Sequence, residues 1–289
     1  MSTANTYHLT LQGLHPVASE NQALIADITA RSKASNVTPL HANAVRIDNA
    51  QCDAALLADI RMQCEAARID VTARSRQLKL ADFKLVAMDM DSTLITIECI
   101  DEIADMQGLK PQVAEITEAA MRGELEFRES LQRRVALLKG LDASALQRVY
   151  DERLHLSLGA ENMLRVIQAA GLKTLLVSGG FTFFTDRMKT RLNLDFTHSN
   201  LLEIENGKLT GKVIGTIVDA DEKQKTVERV CMEMGIPTSE AIVMGDGAND
   251  LKMMSISGLS VAFRAKPVVR AQADAALNFV GLDGVLNLL

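Results

Sequence analysis

Residues 86–95 read VAMDMDSTLI, where an apolar run ends in two aspartates, Asp89 and Asp91, followed directly by a Ser-Thr pair. A short and continuously apolar run is typical of a parallel strand that is buried on both faces of a sheet. Two carboxylates at such short range repel each other unless something positive lies between them. The stretch therefore predicts a buried strand and a cation-dependent site at its end.

Four further apolar runs follow along the chain, and each ends in polar or Gly-rich residues: LKTLLVSGG, EAIVMGDG, GLSVAF and AALNFV. Helical segments separate these runs, which predicts an α/β fold with a parallel sheet. About 80 residues lie between the first two strands, where a crossover needs about a dozen. Because the extra sequence has helical spacing with Gly or Pro breaks near 108–111, 123 and 140, it predicts a small helical cap inserted at about 98–160. Further on, Asn206-Gly207 lies between alternating segments and predicts a two-residue hairpin turn.

Residues 1–78 differ in character and predict a separate small α+β domain, which leaves residues 79–289 for the α/β domain. Alternation typical of strands occurs in YHLTLQGL and LHANAVRID, and helical patterns occur in NQALIADITARSKAS and CDAALLADIRMQCEAA. The pattern predicts about three strands and two helices in this region.

The composition excludes several classes of protein. The net charge is −6, and the basic residues are scattered among acidic ones, so nothing favours nucleic-acid binding. The first residues lack a signal-peptide pattern, and no apolar stretch approaches the roughly 18 residues that span a bilayer. The four cysteines contain no C-x-x-C pair, which favours reduced thiols. We therefore expect a soluble cytoplasmic protein that binds neither nucleic acid nor membranes.

Distant polar residues follow the predicted strands. Ligands of open parallel α/β sheets bind at the carboxyl ends of the strands, where Asp89, Ser178-Gly179-Gly180 and the segment GDGAND at 245–250 lie in this sequence. Asp89, Asp246 and Asp250 should therefore converge on one point. Hard oxygen ligands without His or Cys are suited to Mg²⁺.

A metal and a phosphate at this edge suggest a chemical role for each residue. Asp89 can attack phosphorus to form an aspartyl-phosphate that water later cleaves, and Asp91 can serve as the general acid and base. Ser178 and the two glycines after it can hold phosphate oxygens. Lys223, which we place just before a helix, is a better candidate than Lys225 for the remaining cation. Each motif alone also fits a helix cap, a turn or a solvated charge, but their occurrence at successive strand ends favours a site.

These motifs resemble those of the haloacid dehalogenase (HAD) superfamily of phosphohydrolases, over residues from about 80 to 289. The first motif matches Asp89-x-Asp91-x-Thr93, the second Ser178, the third Lys223, and the fourth GDGxND at 245–250. Within the superfamily, the phosphoserine phosphatase family is similar in the segments DMDSTLITIECIDEIAD, ITEAAMRGELEFRESLQRRVALLKGL, VSGGFTFFTDRM, NGKLTG and GDGANDLKMM. The resemblance implies a Rossmann-like core with a helical cap, and Mg²⁺-dependent hydrolysis of O-phosphoserine to serine and phosphate through an aspartyl-phosphate, the last step of serine biosynthesis.

The resemblance also implies the ligands of the metal and of the phosphoryl group. Mg²⁺ would be held by the Asp89 side chain, the Asp91 main-chain carbonyl and Asp246, with Asn249 and Asp250 in support. The phosphoryl group would be bound by Ser178, Gly179, Gly180, Lys223 and Asn249.

The amino-acid end of the substrate would be recognised by Glu98 and Arg134. Glu98 can pair with an ammonium, and Arg134 can bind a carboxylate in a fork. Met121 and Phe127 would form an apolar wall that excludes water. Without the resemblance, Arg134 would be interpreted as a surface charge, and Met121 and Phe127 as packing within the cap.

Two alternative functions remain open from the sequence. The first is phosphotransfer to an alcohol, or hydrolysis of another small phosphomonoester, because the acceptor leaves no motif. The second is an amino-acid-sensing regulatory protein that keeps the catalytic domain as a scaffold. The N-terminal region is similar to the ACT modules that some bacterial phosphoserine phosphatases carry, and such modules can bind amino acids. Alternatively, it would cover apolar surface or form a homodimer interface.

Overall fold

The computed structural model describes residues 4–121 and 124–289, without the side chain of Met121. The strands are β1 (Asn5–Gln12), β2 (Asn36–His41), β3 (Ala44–Cys52), β4 (Asp70–Arg74), β5 (Leu85–Met88), β6 (Lys173–Phe181), β7 (Phe196–Glu205), β8 (Lys208–Ile214), β9 (Ala241–Gly245), β10 (Leu259–Phe263) and β11 (Ala275–Leu277). The helices are α1 (Val17–Glu20), α2 (Gln22–Arg31), α3 (Ala54–Ala66), α4 (Cys99–Asp105), α5 (Lys110–Met121), α6 (Phe127–Leu137), α7 (Ser144–Glu152), α8 (Ala160–Ala169), α9 (Thr182–Leu192), α10 (Ala220–Met234), α11 (Leu251–Ser255) and α12 (Pro267–Arg270). None of the helices in the described ranges combines the length and the hydropathy that a membrane crossing needs.

The larger sheet has seven strands in the order β11-β10-β9-β5-β6-β7-β8. The strands from β11 to β7 pair in parallel, and β8 closes one edge antiparallel to β7. The central strand β5 alternates between two apolar clusters, with Val86 and Met88 in one and Leu85 and Ala87 in the other. The predicted α/β fold with a parallel sheet buried on both faces is therefore confirmed.

The β7–β8 connection has the predicted two-residue turn. Asn206 and Gly207 have φ angles of 50° and 76°, and a type I′ turn requires positive φ at both positions. Between β5 and β6 the described residues include the five α-helices α4 to α8. Residues of α4, α5 and α6 line one cavity together with the ends of β5, β6 and β9, so these three helices cover the carboxyl edge of the sheet.

The N-terminal region forms its own antiparallel sheet in the order β2-β3-β1-β4, with α1, α2 and α3. The count of three strands from the sequence was wrong, since the structure has four strands. The segment LHANAVRID, whose alternation predicts one strand, spans the end of β2 and the start of β3. Alternation of period two continues in phase through a turn of two residues, so the pattern did not reveal the hairpin.

One of the contacts between the N-terminal sheet and the larger domain is a buried carboxylate. Asp70, at the start of β4, is only 2% exposed and accepts hydrogen bonds from the backbone N–H groups of Asn278, Phe279 and Val280 at 2.8, 3.0 and 3.1 Å. Burial raises the pKa of Asp70, and the three N–H groups oppose that shift. These bonds attach the N-terminal sheet to the segment that follows β11.

Asp70→Ala is expected to lower the free energy of unfolding by roughly 2 kcal/mol, because it leaves three N–H groups at this junction without their acceptor. Urea unfolding followed by circular dichroism measures the change. Asp186→Asn, which alters an exposed carboxylate on α9, is the matched control and should leave the midpoint in place. An unchanged midpoint for Asp70→Ala would show that the three bonds to Asp70 add nothing to stability.

Candidate active site

A cavity of about 620 Å³ lies at the carboxyl ends of β5, β6 and β9. The strand ends contribute acidic and Gly residues, and helices α4, α5 and α6 contribute the opposite wall. The sequence-predicted residues that line the cavity are Asp89, Asp91, Glu98, Phe127, Arg134, Gly179, Gly180, Asp246 and Asn249. Residues before, within and after the long segment between β5 and β6 therefore line one cavity.

Lys223 lies between two carboxylates beneath the cavity surface. It is fully buried, and its Nζ lies 2.9 Å from Asp89 Oδ1 and 2.7 Å from Asp250 Oδ1. Burial alone would lower the pKa of Lys223, but the attraction of Asp250 and Asp89 outweighs it and raises that pKa. The lysine is therefore a fixed positive charge beside Asp89.

The position of Lys223 in its helix differs from the expectation. It lies in the first turn of α10, not before the helix, because the side chain of Asp219 accepts a hydrogen bond from Glu222 N at 2.9 Å and starts the helix at Ala220. This places Lys223 on a rigid element.

Asp250 organises the loop after β9. Its Oδ2 accepts the backbone N–H groups of Asp246 and Gly247 at 3.1 and 3.0 Å, while its Oδ1 is occupied by Lys223. A Cβ atom at Gly245 would lie 2.4 Å from Asp250 Oδ2, so only glycine fits there. Both oxygens of Asp250 are thus already engaged in holding the loop and the lysine.

Asp89 keeps one oxygen free. Its Oδ1 accepts the N–H of Met90 at 2.7 Å in addition to Lys223, whereas its Oδ2 has no partner within residues 4–121 and 124–289. Burial raises the pKa of Asp89 well above its ordinary value, and repulsion from Asp250 adds to this while Lys223 opposes it. The buried negative charge therefore needs further positive charge.

An acidic cluster at this point fits a divalent cation. Asp89, Asp246 and Asp250 each present a carboxylate oxygen within 4.8 Å of the others. Burial raises the pKa of Asp246 to about 7, with repulsion from Asp250 as the next cause, and Thr93 donates to its Oδ1 at 3.2 Å. Three hard oxygen donors, with raised carboxyl pKa values at Asp89 and Asp246, are what a divalent cation site shows before its charge is included.

Asp91 lies on the same cavity wall as Asp89. Its Oδ1 accepts the N–H of Cys99 at 3.3 Å. Burial by the surrounding protein raises the pKa of Asp91 to about 7, and repulsion from Glu98 adds to that rise. A Cβ atom at Gly180 would lie 2.6 Å from Asp91 Oδ2, so glycine leaves room for this carboxylate.

The Ser-Gly-Gly segment ends β6. Ser178 is fully buried, and its Oγ accepts the N–H of Gly180 at 2.8 Å. The amide of Asn200 donates to Gly179 O at 2.7 Å and accepts from Val218 N at 2.9 Å, which fixes the segment against its neighbours. Asn200 was not predicted as a site residue, since its only sequence signal was a polar residue at the start of the alternating hairpin.

Glu98 and Arg134 reach the cavity from the helical side. Glu98 precedes α4, and its Oε1 accepts from Ser92 Oγ at 2.6 Å. Enclosure by protein atoms raises the pKa of Glu98, although its side chain is exposed to the cavity. Arg134, in the last turn of α6, is half-buried, and its Nε has no hydrogen-bond partner in the described part of the chain. The two opposite charges thus face one space with capacity left for a ligand.

Phe127 contacts the strand side directly. Its Cζ would lie 3.1 Å from a Cβ atom at Gly179, and Arg128, the next residue, forms an ion pair with Asp219 at 2.6 Å. Met121, predicted for the same wall, lies outside the residues whose side chains are described. Asp101 and Leu125 also line the cavity and were not predicted, because their residue types resembled ordinary surface and core positions.

Comparison with known proteins identifies the family of the chain. A family model described as a haloacid dehalogenase-like hydrolase matches residues 83–258. A phosphoserine phosphatase of Polaromonas sp. is 54% identical over 224 residues, which cover 76% of this chain and 95% of that protein.

Two solved structures cover nearly the whole chain. A HAD family hydrolase of Salmonella enterica serovar Typhi has a TM-score of 0.86 at 31% identity and covers 98% of both chains. A probable phosphoserine phosphatase of Vibrio cholerae has a TM-score of 0.82 at 34% identity and covers 98% of this chain and 86% of that one. The chain belongs to the haloacid dehalogenase-like hydrolases and, within them, to the phosphoserine phosphatase family.

Proposed function

We propose that the chain hydrolyses O-phospho-L-serine to L-serine and phosphate, as the final step of serine biosynthesis. The observation that carries the proposal is the pairing of Glu98 and Arg134 with Asp89 in one cavity. A phosphoserine molecule has a phosphoryl group at one end and an ammonium and a carboxylate at the other. The cavity offers Asp89 as a nucleophile for the phosphoryl group. It offers Glu98 for the ammonium and Arg134 for the carboxylate.

In the first half-reaction, Asp89 Oδ2 attacks phosphorus and the bond from phosphorus to the serine oxygen breaks. Asp91 gives its proton to that oxygen, so L-serine leaves with a neutral hydroxyl group. The raised pKa of Asp91 supports this role, because a carboxyl with a pKa of about 7 still holds a proton near neutral pH. Lys223, Ser178, Gly179, Gly180 and Asn249 would bind the phosphoryl oxygens, although the N–H of Gly180 is donated to Ser178 Oγ in this structure.

In the second half-reaction, the ionised Asp91 takes a proton from water, and the water oxygen attacks the phosphorus of the aspartyl-phosphate. The bond from phosphorus to Asp89 breaks, and phosphate leaves with the Asp89 carboxylate restored. Phe127 and Met121 would exclude other water from the reacting atoms. Each half-reaction inverts the configuration at phosphorus.

We assign the cation to Mg²⁺, held by the Asp89 carboxylate, the main-chain carbonyl of Asp91 and Asp246. Asp250 and Asn249 would support these ligands, because both oxygens of Asp250 are already engaged. When bound, the ion would neutralise charge on the phosphoryl oxygens during transfer.

We propose the same division of the chain as from the sequence, with residues 1–78 as an ACT-like domain, 79–289 as the phosphatase domain and 98–160 as its cap. Four antiparallel strands in the order β2-β3-β1-β4 support the ACT-like assignment. A homodimer interface on this domain and a cytoplasmic location stay predictions.

Arg134→Ala tests the substrate assignment. We expect kcat/KM for O-phospho-L-serine to fall about 100-fold, since a charge-assisted fork to the substrate carboxylate is lost. Hydrolysis of p-nitrophenyl phosphate, which has no carboxylate, should change by less than about threefold. Steady-state kinetics with both substrates, and with O-phospho-L-threonine for comparison, give the measurement.

Arg133→Ala is the matched control, because its guanidinium pairs with Glu129 at 2.6 Å on the exposed face of α6. That variant should behave as the wild type with every substrate. If Arg134→Ala keeps normal kinetics with phosphoserine, the substrate assignment is wrong even though the phosphatase chemistry stands.

A further inference from the structure

Two buried side-chain atoms at the cavity have no hydrogen-bond partner in the described residues: Arg134 Nε and Asp101 Oδ1. One is a donor and the other an acceptor, and both residues line the same cavity. An unpaired buried polar atom costs free energy in the folded protein, so such atoms are uncommon. Their occurrence together in a binding cavity indicates that they acquire partners when a ligand is present.

The helical framework holds the two residues on facing elements. Asp101 is in the first turn of α4, three residues after Glu98, and Arg134 is in the last turn of α6. Burial lowers the pKa of Arg134, and among the charges that oppose this shift Asp101 comes first, ahead of Glu98 and Asp91. Asp101 is therefore the carboxylate that acts most strongly on this guanidinium.

The neighbouring groups are already engaged or lie at the surface. Glu98 accepts from Ser92 Oγ, so one of its oxygens is already occupied. Lys110, the other cation that acts on Asp101, is exposed. Farther along α4, Glu102 and Asp105 both pair with Arg153, at 2.6 and 2.9 Å. Asp101 is thus the carboxylate of α4 that faces the cavity and keeps an unpaired buried oxygen.

We propose that Asp101 is a positioning residue that accepts the Nε–H of Arg134 in the substrate complex and aims the two Nη groups at the carboxylate of an α-amino-acid phosphomonoester. This inference rests on the proposed function and deepens it. One contact gives partners to both unpaired atoms. A guanidinium held at Nε also presents its remaining donors in a fixed fork, so less side-chain freedom is lost when the substrate carboxylate binds.

The test compares O-phospho-L-serine with O-phosphoethanolamine, which keeps the ammonium and the phosphate but lacks the carboxylate. We expect Asp101→Ala to lower kcat/KM for phosphoserine by about 10- to 100-fold, mainly by raising KM. Its kcat/KM for phosphoethanolamine should stay within about threefold of the wild-type value. Asp101→Asn should recover part of the loss, because its amide oxygen can still accept from Nε–H. In an Arg134→Ala background, Asp101→Ala should cause no further loss with phosphoserine.

Asp105→Asn is the matched control on the same helix, because the Asp105 carboxylate pairs with Arg153 away from the cavity. This variant should keep the wild-type kcat/KM for both substrates. Equal losses of Asp101→Ala on both substrates would overturn the proposal, since a general structural role or direct binding of the ammonium would have that effect. A further loss in the double variant would also overturn it. A wild-type enzyme that does not prefer phosphoserine to phosphoethanolamine would instead refute the proposed function, before any Asp101 variant is compared.

Discussion

Asp89→Asn is expected to lower kcat for O-phospho-L-serine by about 10⁴-fold or more while leaving the chain folded. The reason is chemical, since an amide oxygen is a poor nucleophile and cannot form the aspartyl-phosphate. Asp250 cannot replace Asp89, because its oxygens are occupied by Lys223 and by two backbone N–H groups. In the proposed mechanism Asp91 carries the proton and does not attack phosphorus.

The same variant has a predicted effect on stability. Burial raises the pKa of Asp89, so the folded protein holds this proton more tightly than the unfolded chain does. Above the pKa of the unfolded chain, ionised Asp89 therefore reduces stability, and this penalty grows until the pH passes the folded pKa. Without divalent cations at neutral pH, Asp89→Asn should be at least as stable as the wild type.

Both effects can be measured on one preparation. Phosphate release in the presence of Mg²⁺ gives kcat, and urea unfolding in a chelator gives stability. Asp221→Asn, an exposed carboxylate that pairs with Lys252, serves as the control for both. Substantial Mg²⁺-dependent turnover by Asp89→Asn would refute its role as the nucleophile. Clear destabilisation in the chelator would show that the ionised form is not penalised by burial.

Much of the larger domain could be predicted because its strands are buried on both faces. The run at 85–88 is apolar at every position, as a strand between two helical layers requires, and β9 and β10 are likewise buried at every position. Polar residues at the ends of such strands had to meet at one edge. The proximity of Asp89, Asp246 and Asp250 could therefore be predicted without coordinates.

The features that could not be predicted are a hairpin with a two-residue turn and site residues that only the packing of the elements selects. The β2–β3 hairpin was missed because its alternation continues through the turn. Asp101 was missed because one acidic residue among the several of α4 is not distinguished by spacing, and only the packing of α4 against α6 selects it. Asn200 was missed because its two backbone partners, Gly179 and Val218, come from different elements.

Asp91→Asn is expected to separate the two half-reactions. With phosphoserine, kcat should fall by about 10³-fold, since the serine oxygen must leave without a proton from Asp91. p-Nitrophenyl phosphate has a leaving group that needs no proton, so the attack of Asp89 should survive. The water that cleaves the aspartyl-phosphate still lacks its base, so this intermediate should accumulate.

A rapid-mixing experiment with p-nitrophenyl phosphate distinguishes this from a simple loss of activity. Asp91→Asn should release about one p-nitrophenolate per site in a burst and then turn over slowly, and intact mass spectrometry after an acid quench should detect the phosphorylated chain. Asp89→Asn is the matched control and should show no burst. A slow linear release without a burst would place the defect of Asp91→Asn before phosphoryl transfer. Asp91 would then position the phosphate instead of moving the proton. The p-nitrophenolate leaving group is stable as an anion, so the loss of a proton donor alone cannot slow the attack on this ester.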